Sequence, residues 1–183
     1  CFYFALNILY SISIKNLIIL DIICLSSFYV FRVIAGGLSS NTYVSIWLLL
    51  FCFFFFLFLA NIKRITELVR INDDSILKKI GRNYTLSNIG LLKSINILAI
   101  VTSQLILFIY FINDSSTMLY NKSNITIIIS LILLIWTYYI SNNAFRGTLS
   151  SDPIVFALKN KFSWCCFLMI SILTISQMNI WLT

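Results

Sequence analysis

Five stretches of about 20 mostly apolar residues leave this chain few ways to fold: Leu17 to Leu38, Tyr43 to Ile62, Ser94 to Ile112, Asn124 to Ser141 and Phe162 to Leu182. A shorter apolar piece, Phe2 to Ile14, reads as part of a sixth. Stretches of this length match a hydrocarbon core of roughly 30 Å when helical. Lipid offers no partners to backbone amides, and the strict alternation of a strand is absent, so helices are the expected form. With 60% hydrophobic and 10% charged residues, the chain is not an ordinary soluble domain, in which about a quarter of residues are charged. The expectation is an all-α, polytopic transmembrane helix bundle: one membrane-embedded domain over residues 1–183, with five full spans and one partial. Apolar sequence begins at once after Cys1, without a signal-peptide pattern, so the chain reads as a piece lacking spans at its start.

Charge then orients the bundle. The 31 residues from Lys63 to Lys93 hold seven of the thirteen Lys and Arg and three of the six acids. Lys15 falls in the first connection, and Arg146, Lys159 and Lys161 in the fifth. These three connections alternate with the others and so share one side, which the positive-inside rule makes cytoplasmic. Lys122 is the basic residue on the other side, and Arg32 lies within a span. A basic surface beside anionic lipid accounts for the net charge of +7 without nucleic acid. Turn signals agree with this layout: Gly36-Gly37 with Ser39-Ser40-Asn41, then Asn113-Asp114-Ser115-Ser116, then Asn142-Asn143 through Asp152-Pro153. Cys24, Cys52, Cys165 and Cys166 lie in spans without metal-ligand spacing and read as small packing residues. No histidine is present, so any chemistry must use carboxylates, Lys, Arg, Tyr and a metal.

Several polar residues stand out against this background. On a helix, Asn7, Ser11 and Lys15 share one face with Tyr10 beside it, a stripe suited to a phosphate or to a wetted helix end. Asp21 is an acid at the edge of hydrocarbon, where ionisable groups are costly and commonly functional; it could equally serve a helix start or pair with Lys15. Lys63, Arg64, Glu67 and Arg70 are spaced either as an ion-paired helical ladder or as a carboxylate for a divalent metal flanked by phosphate-binding cations. Asn72-Asp73-Asp74 reads as a turn or a helix cap. Arg32 is read as snorkelling to the outer headgroups, and Gln104 and Trp136 as packing residues.

The run Asn7-x-x-Tyr10-Ser11-x-x-x-Lys15, then Leu20-Asp21, then Phe31-Arg32-Val33-Ile34-Ala35-Gly36-Gly37 resembles a stretch of bacterial decaprenyl-phosphate phosphoribosyltransferases, a branch of the UbiA-type prenyltransferase superfamily. The resemblance continues through Ser45-x-Trp47-Leu48-Leu49, Lys63-Arg64-x-x-Glu67-Leu68, Tyr84-Thr85 and Asp152-Pro153. It implies a nine-helix bundle of which this chain supplies helices four to nine. The implied reaction, at the cytoplasmic face of the bacterial inner membrane, transfers phosphoribose from phosphoribosyl pyrophosphate to a polyprenyl phosphate with magnesium. It further implies Asp21 and Glu67 as catalytic residues, Glu67 as metal ligand, and Asn7, Tyr10, Ser11, Lys15, Lys63 and Arg64 as substrate-binding. Three departures accompany it. The superfamily's first Asn-Asp-x-x-Asp-type motif is absent from these residues, so the missing helices would have to come from further sequence or a separate chain. Val155 and Asn160 stand where the family often has acids. Lys15 follows Tyr10 by five positions, where the superfamily commonly has four. Prenyl transfer to an aromatic or isoprenoid acceptor, or a non-enzymatic membrane protein, remain alternatives.

Overall fold

The computed structural model describes residue 10 and residues 17–71, 86–113, 123–149 and 152–179; these form helices and turns with no strand among them. The elements are α1 (Ile18–Ser39), α2 (Ile46–Ile71), a 3-10 turn (Leu86–Asn88), α3 (Ile89–Asn113), α4 (Ser123–Phe145), α5 (Pro153–Lys159) and α6 (Lys161–Asn179). Among the described residues four helices are long and apolar enough to cross a membrane, and α5 with α6 makes a fifth span if the bent pair counts as one. The protein is therefore an all-helical membrane protein, as its apolar stretches require. The partial span Phe2 to Ile14 lies outside the described residues except for Tyr10.

The second helix is the centre of the bundle, touching α1, α3, α4 and α5. Its aromatic face binds the layers together. Phe55 stacks on Trp136 of α4 at 6.1 Å, and Trp136 in turn meets Phe167 of α6 at 5.3 Å. Trp136 is buried, and its indole N–H donates to Ser163 Oγ at 3.1 Å, which satisfies the one polar atom it brings into the core. Its reading as a packing residue holds. Gln104 is also buried, yet neither amide atom has a hydrogen-bond partner. Polar side chains staple the helices near one end: Asn61 Nδ2 donates to the Leu92 carbonyl at 2.7 Å, and Ser141 Oγ donates to Asn96 Oδ1 at 2.9 Å. In hydrocarbon such bonds have no water to compete with, although measured values average only about 0.6 kcal/mol.

Several element boundaries differ from the sequence reading: the helix expected from Ser94 starts at Ile89, and the one expected to end at Ser141 runs to Phe145. The apolar stretch Tyr43 to Ile62 was expected to give way to a charged connection from Lys63; α2 instead continues to Ile71, which makes the Lys63 to Arg70 run helical, as its ladder reading requires. The extension is possible because Arg64 is neutralised by acids and buried rather than left to snorkel. The connection expected through Asp152-Pro153 is also partly helical. Asp152 caps α5 by accepting from Ile154 N at 2.9 Å, and Pro153 takes the first helical position, where its missing N–H costs nothing. The chain then turns by 82° at Asn160. Asn160 Oδ1 accepts from Phe162 N to start α6, while its Nδ2 donates to Tyr139 Oη at 2.9 Å. An asparagine where the resemblance led one to expect an acid is thus the pivot of this elbow.

The turn between α1 and α2 is tight. A Cβ on Gly37 would collide with Val44 Cγ2, and Asn41 takes the left-handed conformation at φ 52°. Gly37→Ala is expected to destabilise the protein by about 1–3 kcal/mol, the usual cost of overpacking, readable as a lower unfolding temperature in detergent.

Candidate functional site

Seven of the eight described basic residues, all but Arg32, lie toward one end of the bundle. Cross-helix contacts tie that end together: Arg64 to Asp21, Lys63 to Asp152, and Lys93 over the Phe145 ring at 5.2 Å. Arg32, in the second half of α1, stacks over the Tyr29 ring at 5.2 Å.

At the centre of this end is a buried ion cluster. Asp21 is in the first turn of α1 and fully buried. Arg64 comes from α2, also buried, and grips Asp21 with two nitrogens, Nε to Oδ2 at 2.5 Å and Nη2 to Oδ1 at 3.1 Å. Its third nitrogen, Nη1, donates to Glu67 Oε2 at 2.9 Å, one turn further along α2. Tyr10 Oη donates to Asp21 Oδ1 at 2.5 Å, and its ring packs edge-on against Phe28 at 5.7 Å. The geometry uses the whole guanidinium fork, which lysine could not supply. One guanidinium faces two carboxylates, so with both acids ionised the cluster carries one negative charge. Glu67 is the partly open member, with 25% of its side chain exposed against 0% for Asp21.

A second pair lies one residue away. Lys63 reaches away from Arg64 toward Asp152 at the start of α5, with Nζ 3.6 Å from Oδ2. Beneath this pair a cavity of about 120 Å³ runs between α1, α2 and α5, lined by Tyr29, Phe56, Leu59 and Ile154 among others. The helical repeat explains the layering. Asp21, Leu25 and Tyr29 follow one face of α1, and Glu67, Lys63 and Phe56 follow one side of α2. An apolar groove therefore ends in a charged layer.

Of the residues singled out in the sequence, the structure brings together Tyr10, Asp21, Arg64 and Glu67, and puts Lys63 beside them. Asn7, Ser11, Lys15 and the Asn72-Asp73-Asp74 segment lie outside the described residues. The ion-pair ladder exists in part, through Arg64 and Glu67, while Lys63 pairs across helices instead of with Glu67. Asp152 was legible as a turn residue and as part of the resemblance, but no local signal places it next to Lys63. Cys24, Cys52, Cys165 and Cys166 are free, and among the described residues no three Cys, Asp or Glu side chains come together as a metal cage. Asp21 has both oxygens engaged by Arg64 and Tyr10, and Glu67, which accepts from Arg64 Nη1, is the more exposed carboxylate of the cluster. Magnesium is commonly held by one or two carboxylates together with oxygens from substrate or water, and a single partly exposed carboxylate such as Glu67 would fit it only with such added ligands.

Two curated proteins match the chain. NoeC, a nodulation protein of Azorhizobium caulinodans, is 28% identical over 169 residues, covering 91% of this chain and 54% of that protein. The uncharacterized protein y4nM of Sinorhizobium fredii is 29% identical over 163 residues, covering 88% of this chain and 32% of that protein. The chain spans about half the length of the first and about a third of the second. No protein-family profile matches it.

Proposed function

We propose that this protein works in the transfer of a phosphoribosyl group from phosphoribosyl pyrophosphate to a polyprenyl phosphate at the cytoplasmic face of a bacterial inner membrane. The observation that carries the reading is the groove: an apolar cavity that ends at Lys63, the residue that precedes Arg64 of the buried carboxylate–guanidinium cluster. A lipid phosphate has the same two parts. Its isoprenoid tail suits Tyr29, Phe56, Leu59 and Ile154, and its phosphate suits the Lys63 ammonium as a point charge. Gathering of basic residues at one end supports a cytoplasmic position for that end.

In the proposed reaction a phosphate oxygen of the lipid attacks the anomeric carbon of the sugar. The bond from that carbon to the diphosphate breaks, and pyrophosphate leaves with the bonding pair. Magnesium, when bound, neutralises the departing diphosphate. Glu67 would hold the cation side of the diphosphate, and Arg64 fixes the Glu67 carboxylate through Nη1. Asp21 and Tyr10 fix Arg64 in turn, so their part is to position rather than to touch substrate. Lys63 holds the attacking phosphate at the end of the groove. Further chain length, of the kind the longer relatives possess, would supply the remaining diphosphate contacts.

Lys63→Gln tests the lipid half of this reading. It is expected to raise KM for the polyprenyl phosphate about ten-fold while leaving KM for phosphoribosyl pyrophosphate within two-fold, the loss of one charge-assisted contact to a phosphate. An unchanged lipid KM would remove Lys63 and the groove from the substrate path.

A further inference from the structure

Lys63 does not wait at the groove with a bare charge. Asp152 Oδ2 lies 3.6 Å from its ammonium, and the two side chains are 45% and 36% exposed. That separation is too long for a hydrogen bond, and half-exposed ion pairs are weak and readily exchanged. Asp152 is not free to follow Lys63, because its other oxygen accepts from Ile154 N at 2.9 Å and caps α5. The carboxylate thus occupies, from a fixed mount, the place beside Lys63 that an anionic head would take.

We propose that Asp152 is a built-in counter-ion: it neutralises Lys63 while the groove is empty and is exchanged for the phosphate of the incoming lipid. This rests on the groove being the lipid-phosphate site. The consequence is a site that binds its anion less tightly than Lys63 alone would allow. Binding the lipid breaks the pair, and the retained carboxylate then stands close to the phosphate. Asp152 is therefore a residue that sets affinity at the groove, and its renewed pairing with Lys63 after the reaction helps Lys63 give up a product head.

The test is equilibrium binding of a short-chain prenyl phosphate to the protein in neutral detergent, with the prenyl alcohol of equal length as reference. Asp152→Asn removes the charge and keeps the cap, since asparagine caps helices as well as aspartate. Asp152→Ser, a second neutral capping residue, guards against an effect peculiar to the amide. Both are expected to bind the phosphate about three- to five-fold more tightly, the size of one partly exposed ion pair, with the alcohol unchanged. The gain should shrink in a Lys63→Gln background, because no pair remains to be broken there. An equal gain in both backgrounds would reduce Asp152 to a repelling charge and overturn the exchange. Weaker phosphate binding by the Asp152 variants would overturn it too, by making Asp152 a residue that orients Lys63. Either result leaves the groove as the lipid site. No phosphate-dependent binding in any variant would instead defeat the reading of the groove, and the exchange with it.

Discussion

Arg64→Ala should cost about 3–5 kcal/mol of stability, the typical penalty for breaking a buried ion pair by removing one partner. Asp21 would lose two charge-assisted contacts at a site with no exposure to water, keeping that to the Tyr10 hydroxyl, while Glu67 would lose its anchor on Nη1. A folded membrane protein carries only a modest margin, so the variant is expected to unfold at a much lower temperature or to accumulate poorly. Arg64→Lys should recover a minority of the loss, because an ammonium keeps the charge without the fork that reaches Asp21 twice and Glu67 once. Thermal unfolding followed by size-exclusion profile in detergent reads both variants. A melting temperature for Arg64→Ala within a degree or two of the parent would mean that the pair does not hold α1 to α2.

The second large effect concerns turnover rather than folding. In the protein made from its complete reading frame, Glu67→Gln should lower the rate of pyrophosphate release by about 10²–10³, as loss of a group that stabilises developing charge does. Stability should change little, because Glu67 is partly exposed and glutamine can still accept from Arg64 Nη1. Lipid binding should be unaffected, since Lys63 and the groove are intact. Near-normal release would take Glu67 out of the reaction.

The fold and the site were legible in the sequence to different depths, for physical reasons. Spans are set by hydrocarbon thickness, a single length scale, so stretches such as Leu17 to Leu38 and Asn124 to Ser141 emerged close to α1 and α4. The end of α2 did not, because Lys63, Arg64, Glu67 and Arg70 look like a solvated run until the partner of Arg64 is known. That partner, Asp21, is 43 residues away. Long-range pairing also hid Asp152, whose tie to Lys63 joins α5 to α2. The α5–α6 elbow had its local marks, a cap at Asp152 with Pro153 after it and an asparagine at the break. What no pattern could give was the bend that lays α5 against the groove. Asn61 and Asn96 were unremarked for the same reason: each is a polar residue in an apolar region whose partner lies on another helix.

The most direct test of the proposed function is a transfer assay on membranes containing the protein made from its complete reading frame. Phosphoribosyl pyrophosphate labelled in the ribose would be supplied with a polyprenyl phosphate and magnesium. The account predicts labelled phosphoribose in the lipid fraction, one pyrophosphate released for each sugar transferred, and loss of both in the Glu67→Gln protein. Folded protein that binds the lipid phosphate yet leaves no label on it would contradict the account.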